Sequence, residues 1–296
     1  MSFRKTYFHR ISTVFLLLYL STALFFALSC PADELRVYYI SVGQGDAQYI
    51  ELPNGENVLI DGGPSSTDST SNPLIFFLER KGVSKINHVI LSHAHLDHYN
   101  GLSPVFDRYL VEKYYDSFIT GSSTAETFRN KAKNRSQETV NTLSLPNGAT
   151  FYWCTTSTPP VTAILLHRGD AFGATPSQND ASLVFKVAFG SSTFIFGGDA
   201  GAGGSYKPLE SWLANVNNHG AVLQSDCYKV HHHGSSSSSS DVFLNALKPK
   251  YAFIGTNGMS HGHPTTAAMD RIDVWTGAAA VDNSFSQEIK GKFYHD

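Results

Sequence analysis

The segment His93-Ala-His95-Leu-Asp97-His98 offers four metal-ligating side chains in six residues. Imidazole nitrogens and carboxylate oxygens are ordinary ligands for zinc and similar divalent ions. Three further clusters carry the same residue types. Gly197-Gly198-Asp199-Ala200 follows the apolar run Phe194-Ile195-Phe196, which suits a carboxylate projected into a cleft and able to bridge two cations. Lys229-Val230-His231-His232-His233-Gly234-Ser235 contains three consecutive histidines, and Ser260-His261-Gly262-His263-Pro264 adds two more. Eight of the 13 histidines thus fall in three short segments, a distribution that scattered surface residues would not give. Alternate residues of an extended chain point to opposite faces. At least one of the three consecutive histidines is therefore expected in solvent, with His231 the most dispensable. His263 is placed to contact substrate, and His261 reads as a loop residue.

Such side chains must be held by rigid elements, and the clusters sit where strands are expected to end. Short β-rich runs bounded by Gly, Pro and Asn predict strands at Arg36–Val42, Gln48–Leu52 and Asn57–Ile60. Pro73–Lys81 reads as a helix, with proline in its first turn and Gly82 beyond its end. Ile86–Leu91 reads as a buried strand leading into the first histidine cluster, with a helix from Tyr99 to about Arg108. Residues 122–138 are polar and of mixed charge, which predicts an exposed helix on a peripheral insertion. Phe151–Trp153 and Val161–His167 return to strand character. Ser182–Phe189 and Ser192–Phe196 predict a hairpin, Pro208–Val216 and Asp241–Leu247 helices, Tyr251–Ile254 a strand and Pro264–Trp275 a last helix. Two β-rich halves flanked by helices predict an α/β fold, a four-layer αββα sandwich in a single domain with a cleft between the halves. Asp46, in Val42-Gly-Gln-Gly-Asp-Ala47, and Asp61, in Asp61-Gly-Gly63, stand at further strand ends. Each is either a turn residue or an acceptor holding a ligand histidine from behind.

The first 30 residues are different. Arg4, Lys5 and Arg10 precede an apolar stretch from Ile11 to Leu28, so residues 1–30 read as a signal peptide or N-terminal anchor, and residues 31–296 as one folded domain. Ala27-Leu-Ser-Cys30 also fits a lipidation site, which would attach the chain to a membrane through Cys30. Either route predicts a secreted or extracytoplasmic, membrane-anchored protein. Without that leader, 19 basic residues face 25 acidic ones, a formal −6. That balance lacks the basic footprint of a duplex-binding protein, so strong duplex nucleic-acid binding is not expected. Cys154 and Cys227 lie in apolar segments; a disulfide and two separate buried thiols are both open.

The His-x-His-x-Asp-His segment, followed by Gly-Gly-Asp and a later His-His-Gly, resembles the metallo-β-lactamase fold superfamily. Val-Gly-Gln-Gly-Asp-Ala at 42–47, Asn-Asp-Ala-Ser-Leu-Val at 179–184, His232-His233-Gly-Ser and Gly262-His263-Pro264 narrow the resemblance. They are similar to the competence-protein branch, the hydrolase domain of the ComEC/Rec2 DNA-uptake channel. The same branch includes secreted phosphorylcholine esterases. The resemblance runs from about residue 35 to the C-terminus and implies two divalent metals, zinc or manganese. His93 and His95 would hold one, with Asn179 or Asp180 near its remaining position. Asp97, His98 and His233 would hold the other, and Asp199 would bridge both. His232, His263 and Asn179 would face the substrate, His232 and Asp97 acting in catalysis with Asp97 orienting a metal-bridging hydroxide. Two departures matter. Many channel-linked members carry aspartate where this chain has His95, which favours an intact two-metal site. The superfamily's third histidine for the first metal has no counterpart near residue 179, so that ion is expected to be held more weakly or hydrated. The implied function is a metal-dependent phosphodiesterase of nuclease or phosphorylcholine-esterase type, acting on a small-molecule or phosphodiester substrate. An acyl hydrolase (lactonase, β-lactamase or thioesterase) on the same site and a non-catalytic metal- or ligand-binding surface protein are the alternatives.

Overall fold

In the computed structural model, strands with apolar residues on both faces account for the layering. Leu35, Val37 and Tyr39 of β1 (Leu35–Tyr39) enter one buried cluster, whereas Tyr38 enters another on the opposite face. Val58 and Ile60 of β3 (Asn57–Ile60) separate from Leu59 in the same way, and Phe194 and Phe196 of β10 (Ser192–Phe196) from Ile195. A two-residue period with both sets buried demands cover on both sides of the sheet. The structure describes residues 34–119, 121–173, 177–204, 207–257, 261–276, 280–282 and 291–293. The leader, its apolar stretch and Cys30 lie outside these. Among the described residues, no helix is long and apolar enough to cross a membrane.

Residues Leu35–Asp296 form one compact unit built on two sheets. The first sheet contains β1, β2 (Gln48–Glu51), β3, β4 (Lys85–Ile90), β5 (Leu110–Asp116) and β6 (Ser136–Asn141) in that order, with β14 (Gly291–Phe293) beside β1. The second runs β7 (Ala149–Cys154), β8 (Val161–His167), β9 (Val184–Phe189), β10, β11 (Cys227–Lys229), β12 (Tyr251–Ile254) and β13 (Ala280–Asp282). The first sheet pairs antiparallel from β14 through β1 and β2 to β3 and parallel from β3 to β6; the second pairs antiparallel from β7 to β10 and parallel from β10 to β13. The two inner faces share one core, in which Tyr39 of the first sheet stacks on Phe253 of the second with centroids 4.1 Å apart.

The first sheet's outer face is covered by α1 (Pro73–Arg80), α2 (Leu96–Tyr99), α3 (Leu102–Arg108) and α4 (Ser123–Arg135). The second's is covered by α5 (Leu209–Ala214), α6 (Asp241–Leu247) and α7 (Thr266–Thr276). The expected four-layer αββα order is the observed one. Asn72, Ser122 and Ser240 cap α1, α4 and α6 through their side-chain oxygens.

Two expectations change. The segment at 122–138 is helical and largely exposed as expected, but it is not peripheral: α4 stops at Arg135, packs Ala125, Phe128 and Ala132 into the core, and β6 follows as a sheet-edge strand. Arg129 is fully buried, donating to Asp116 from Nε at 2.7 Å and to the Ile119 carbonyl. A buried ion pair looks polar in sequence, so the helix read as a surface element. The strands β5 and β11 were also unforeseen, because Glu112, Lys113 and Lys229 interrupt their apolar patterns. Cys154 and Cys227 are both buried free thiols.

Candidate metal centre

Every cluster singled out by sequence leaves a strand at the same edge of the fold. Asp61 follows β3, His93–His98 follow β4, Asp199 follows β10, His231–His233 follow β11 and Gly255 follows β12. Parallel strands deliver their C-terminal loops to one side, where α/β sheets place their sites. Close backbone packing holds the loops there. A Cβ on Gly101 would stand 1.8 Å from the Gly62 carbonyl oxygen, so these two loops can pass only as glycines. Gly198, at φ +49°, would drive a Cβ to 2.6 Å from Ser92 Oγ; its absence lets the Asp199 turn reach the first histidine loop.

The hydrogen bonds behind the ligands set their tautomers. Asp61 accepts from Ser92 N at 2.8 Å, from Ser92 Oγ at 2.7 Å and from His98 Nδ1 at 2.9 Å. With its proton committed to Asp61, Ser92 Oγ accepts from His93 Nδ1 at 3.1 Å. His233 Nδ1 donates to the Gly255 carbonyl at 2.6 Å. In all three rings Nδ1 therefore carries the proton, and Nε2 turns its lone pair inward. Those lone pairs converge on another acceptor. Asp199 Oδ1 lies 3.3 Å from His98 Nε2 and 3.5 Å from His233 Nε2, while Oδ2 lies 3.6 Å from His93 Nε2. Asp97 Oδ2 is 3.2 Å from His233 Nε2, and His95 Nδ1 is 2.9 Å from His93 Nε2. His98 Nε2, His233 Nε2 and Asp199 Oδ1 are buried without a hydrogen bond of ordinary geometry. Acceptors that face one another inside a protein need a proton or a cation between them.

Charge makes the same demand. Asp46, Asp61 and Asp199 are buried and Asp97 is partly so, against one buried lysine in the cluster, Lys229, whose Nζ lies 2.6 Å from Asp46 Oδ2. Burial alone would raise the Asp199 pKa, but His233, His98 and His93 outweigh it and hold the carboxyl well below its usual range. Burial likewise works against protonated His98, yet Asp199, Asp61 and Asp97 hold it well above an ordinary histidine. His233 is pushed up to about 10, burial being outweighed by Asp199 and Asp46. The site thus favours positive charge, and a metal entering it would displace the protons that otherwise supply it. Among the described residues, four groups of ligand atoms lie within 4.8 Å of one another: His93, His98 and Asp199; Asp97, His98 and His233; and two that include Asp46, with Asp199 and His233 or with Asp61 and His98. His95 adjoins the first set through His93.

A cavity of about 330 Å³ opens over these groups, lined by Gln44, His95, Asp97, Asn179, Asp199, His232, His233, Ser235, His261 and His263. His232 Nε2 is 3.8 Å from Asp199 Oδ2 and 3.3 Å from Asn179 Nδ2, and its ring stacks on His263 at 5.5 Å.

Several expectations need revising. None of the three consecutive histidines is exposed, because they are not extended: His232 and His233 take left-handed φ values of 47° and 52°, which turn both toward the cleft. His231 points the other way, fully buried, with Nδ1 2.9 Å from Glu210 Oε1. His261, read as a loop residue, lines the cavity mouth. Asp180 is not in the ligand cluster; its Oδ1 accepts the Lys207 N–H at 2.8 Å, leaving Asn179 beside the first pair. Asp46 and Asp61 both lie behind ligand histidines, Asp46 Oδ1 being 3.5 Å from His233 Nδ1. Ser92, Lys229, Glu210, Gln44 and Ser235 escaped the sequence reading.

The chain matches the metallo-beta-lactamase superfamily over residues 40–258. It belongs to that superfamily. Members of this metallo-β-lactamase family bind divalent metals and are usually hydrolytic. ComE operon protein 3 of Bacillus subtilis (strain 168) is 27% identical over 259 residues, covering 81% of this chain and 31% of that protein. Competence protein ComA of Neisseria gonorrhoeae is 27% identical over 246 residues, covering 82% of this chain and 30% of that one. The chain therefore spans about a third of the length of these curated relatives. Among solved structures, CmlA, a diiron beta-hydroxylase from Streptomyces venezuelae, aligns with a TM-score of 0.50 at 12% identity, over 89% of this chain and 54% of that one. That likeness shows the fold alone.

Proposed function

We propose that this chain is an exported metallohydrolase that uses two divalent cations to cleave phosphodiesters. The observation that carries the phosphodiester reading is the cavity wall, on which every lining side chain among the described residues is polar and three are imidazoles outside the proposed ligand set: His232, His261 and His263. Sites for apolar acyl substrates are lined predominantly by hydrophobic groups. A wall of donors suits phosphoryl oxygens instead. His93, His95 and Asp199 would hold one ion and Asp97, His98, Asp199 and His233 the other. When bound, such ions, zinc or manganese, polarise a substrate oxygen and supply hydroxide near neutral pH. The side chains do the rest. Asp97 reaches the cavity and orients the attacking water; His232, beside Asp199, steadies the charge that grows on the phosphoryl oxygens; His263 backs the His232 ring. No side-chain nucleophile is required. The basic and apolar residues of 1–30 support export, with a cleaved leader, a retained anchor or a lipidated Cys30 as the routes.

The test is a turnover panel on the zinc- or manganese-loaded chain: bis-p-nitrophenyl phosphate, p-nitrophenyl phosphorylcholine, single-stranded DNA, nitrocefin and a lactone. Hydrolysis of the phosphodiesters without acyl cleavage is expected. Acyl cleavage with no phosphodiester turnover overturns the assignment.

A further inference from the structure

The two cation positions proposed above are unequal. The Asp97, His98, His233 position has its own carboxylate besides the shared Asp199, whereas the His93, His95 position has none. Where another ligand would stand beside His95 there is Asn179. Its side chain is almost completely buried, at 1% exposure, yet lines the cavity. The amide nitrogen is engaged, 3.3 Å from His232 Nε2. The amide oxygen is buried with no hydrogen bond of ordinary geometry, and it stands toward His95 as an acceptor. An asparagine carbonyl is also an ordinary oxygen ligand for divalent ions.

We propose that Asn179 Oδ1 is the third protein ligand, with His93 and His95, of the first cation, and that this neutral ligand makes the first position the weaker of the two. The proposal rests on the two-cation reading of the site. Asp199 serves both ions, so the difference between the positions is one carboxylate, Asp97, against one amide, Asn179. A missing full negative charge at contact distance weakens cation binding, so the positions fill in order, the Asp97 position first. Asn179 thus replaces a histidine by a harder, uncharged donor, and the same amide ties the ligand set to His232 on the substrate side.

The test is calorimetric titration of the metal-free full chain with Zn²⁺, and separately with Mn²⁺, following ions bound per chain. Wild type is expected to bind two ions in two steps. Asn179→Ala is expected to weaken the second step at least about tenfold, the scale seen when supporting groups of a metal site are removed, while leaving the first step unchanged. Asn179→Asp, which supplies a carboxylate, is expected to tighten the second step and bring the two together. Circular dichroism of both variants separates ligand loss from misfolding, and the Asp variant keeps the test open if the Ala variant does not fold. A folded Asn179→Ala chain that binds two ions with wild-type affinities, and shows only a raised KM, overturns the ligand assignment and leaves two-cation hydrolysis standing. A wild-type chain that binds a single ion removes the two-cation reading and this proposal with it.

Discussion

Asp199 is the residue on which both ligand groups converge, one oxygen toward His98 and His233 and the other toward His93. Asp199→Asn keeps the shape and removes the charge. It is expected to weaken both ions by at least roughly a hundredfold and to abolish turnover with them. Two ions bound per chain at wild-type affinity in that variant would contradict the bridging role. At this scale the sequence was legible where ligands are close neighbours, as in His93 to His98, or where a loop motif marks them, as at Asp199. It was illegible where a residue's meaning depends on a partner far along the chain. Lys229 reads as a surface lysine until Asp46 is placed 2.6 Å away, and Ser92 reads as a turn serine until Asp61 claims its hydroxyl.

Among the elements, the turn at 231–234 shows how local strain is held. Left-handed φ at two consecutive histidines is costly for residues with a Cβ, and survives only where surrounding contacts fix it. Glu210, near the start of α5, supplies part of that fixation. It accepts the Ser239 and Ser240 N–H groups at 2.7 and 2.6 Å and also pairs with His231. Arg271 of α7 donates to the carbonyls of Ser236, Ser238 and Ser239 from the other side. The serine run Ser235–Ser240 is thus a hydrogen-bonded clamp between two helices. His231→Ala is expected to lose about 3 kcal/mol of stability, because it leaves the buried Glu210 carboxylate short of a partner. Urea unfolding measures this; a change within about 0.5 kcal/mol would show that the pair contributes little. The expectation that His231 is dispensable came from counting alternate faces of an extended chain, a rule that a left-handed turn suspends.

For the whole molecule, the four-layer order was legible because strands buried on both faces carry apolar residues at odd and even positions alike. Strands such as β5, broken by Glu112 and Lys113, were not. Two histidines in the body of the fold set its acid limit. Burial pushes His88 and His167 down to about 4 from the ordinary value of 6.5, His88 aided by Lys113. The unfolded chain takes up these protons below about pH 6.5, but the folded chain does not until about pH 4. Stability from this source is therefore complete above pH 6.5 and declines between 6.5 and 4, by roughly 3 kcal/mol for each histidine at the lower end. Unfolding free energies across that window are expected to fall less steeply for His88→Gln than for wild type; identical slopes would exclude His88. A last consequence lies in the aromatic and aliphatic layer shared by the two inner faces. His93 to His98 hang from one sheet, and Asp199 and His233 from the other. The 3.3 to 3.6 Å gaps between their ligand atoms are therefore measured out by the thickness of that layer. The hydrocarbon interior serves as the ruler of the chemistry. Swelling or thinning it at Phe185 or Phe194 would detune the centre without touching a ligand.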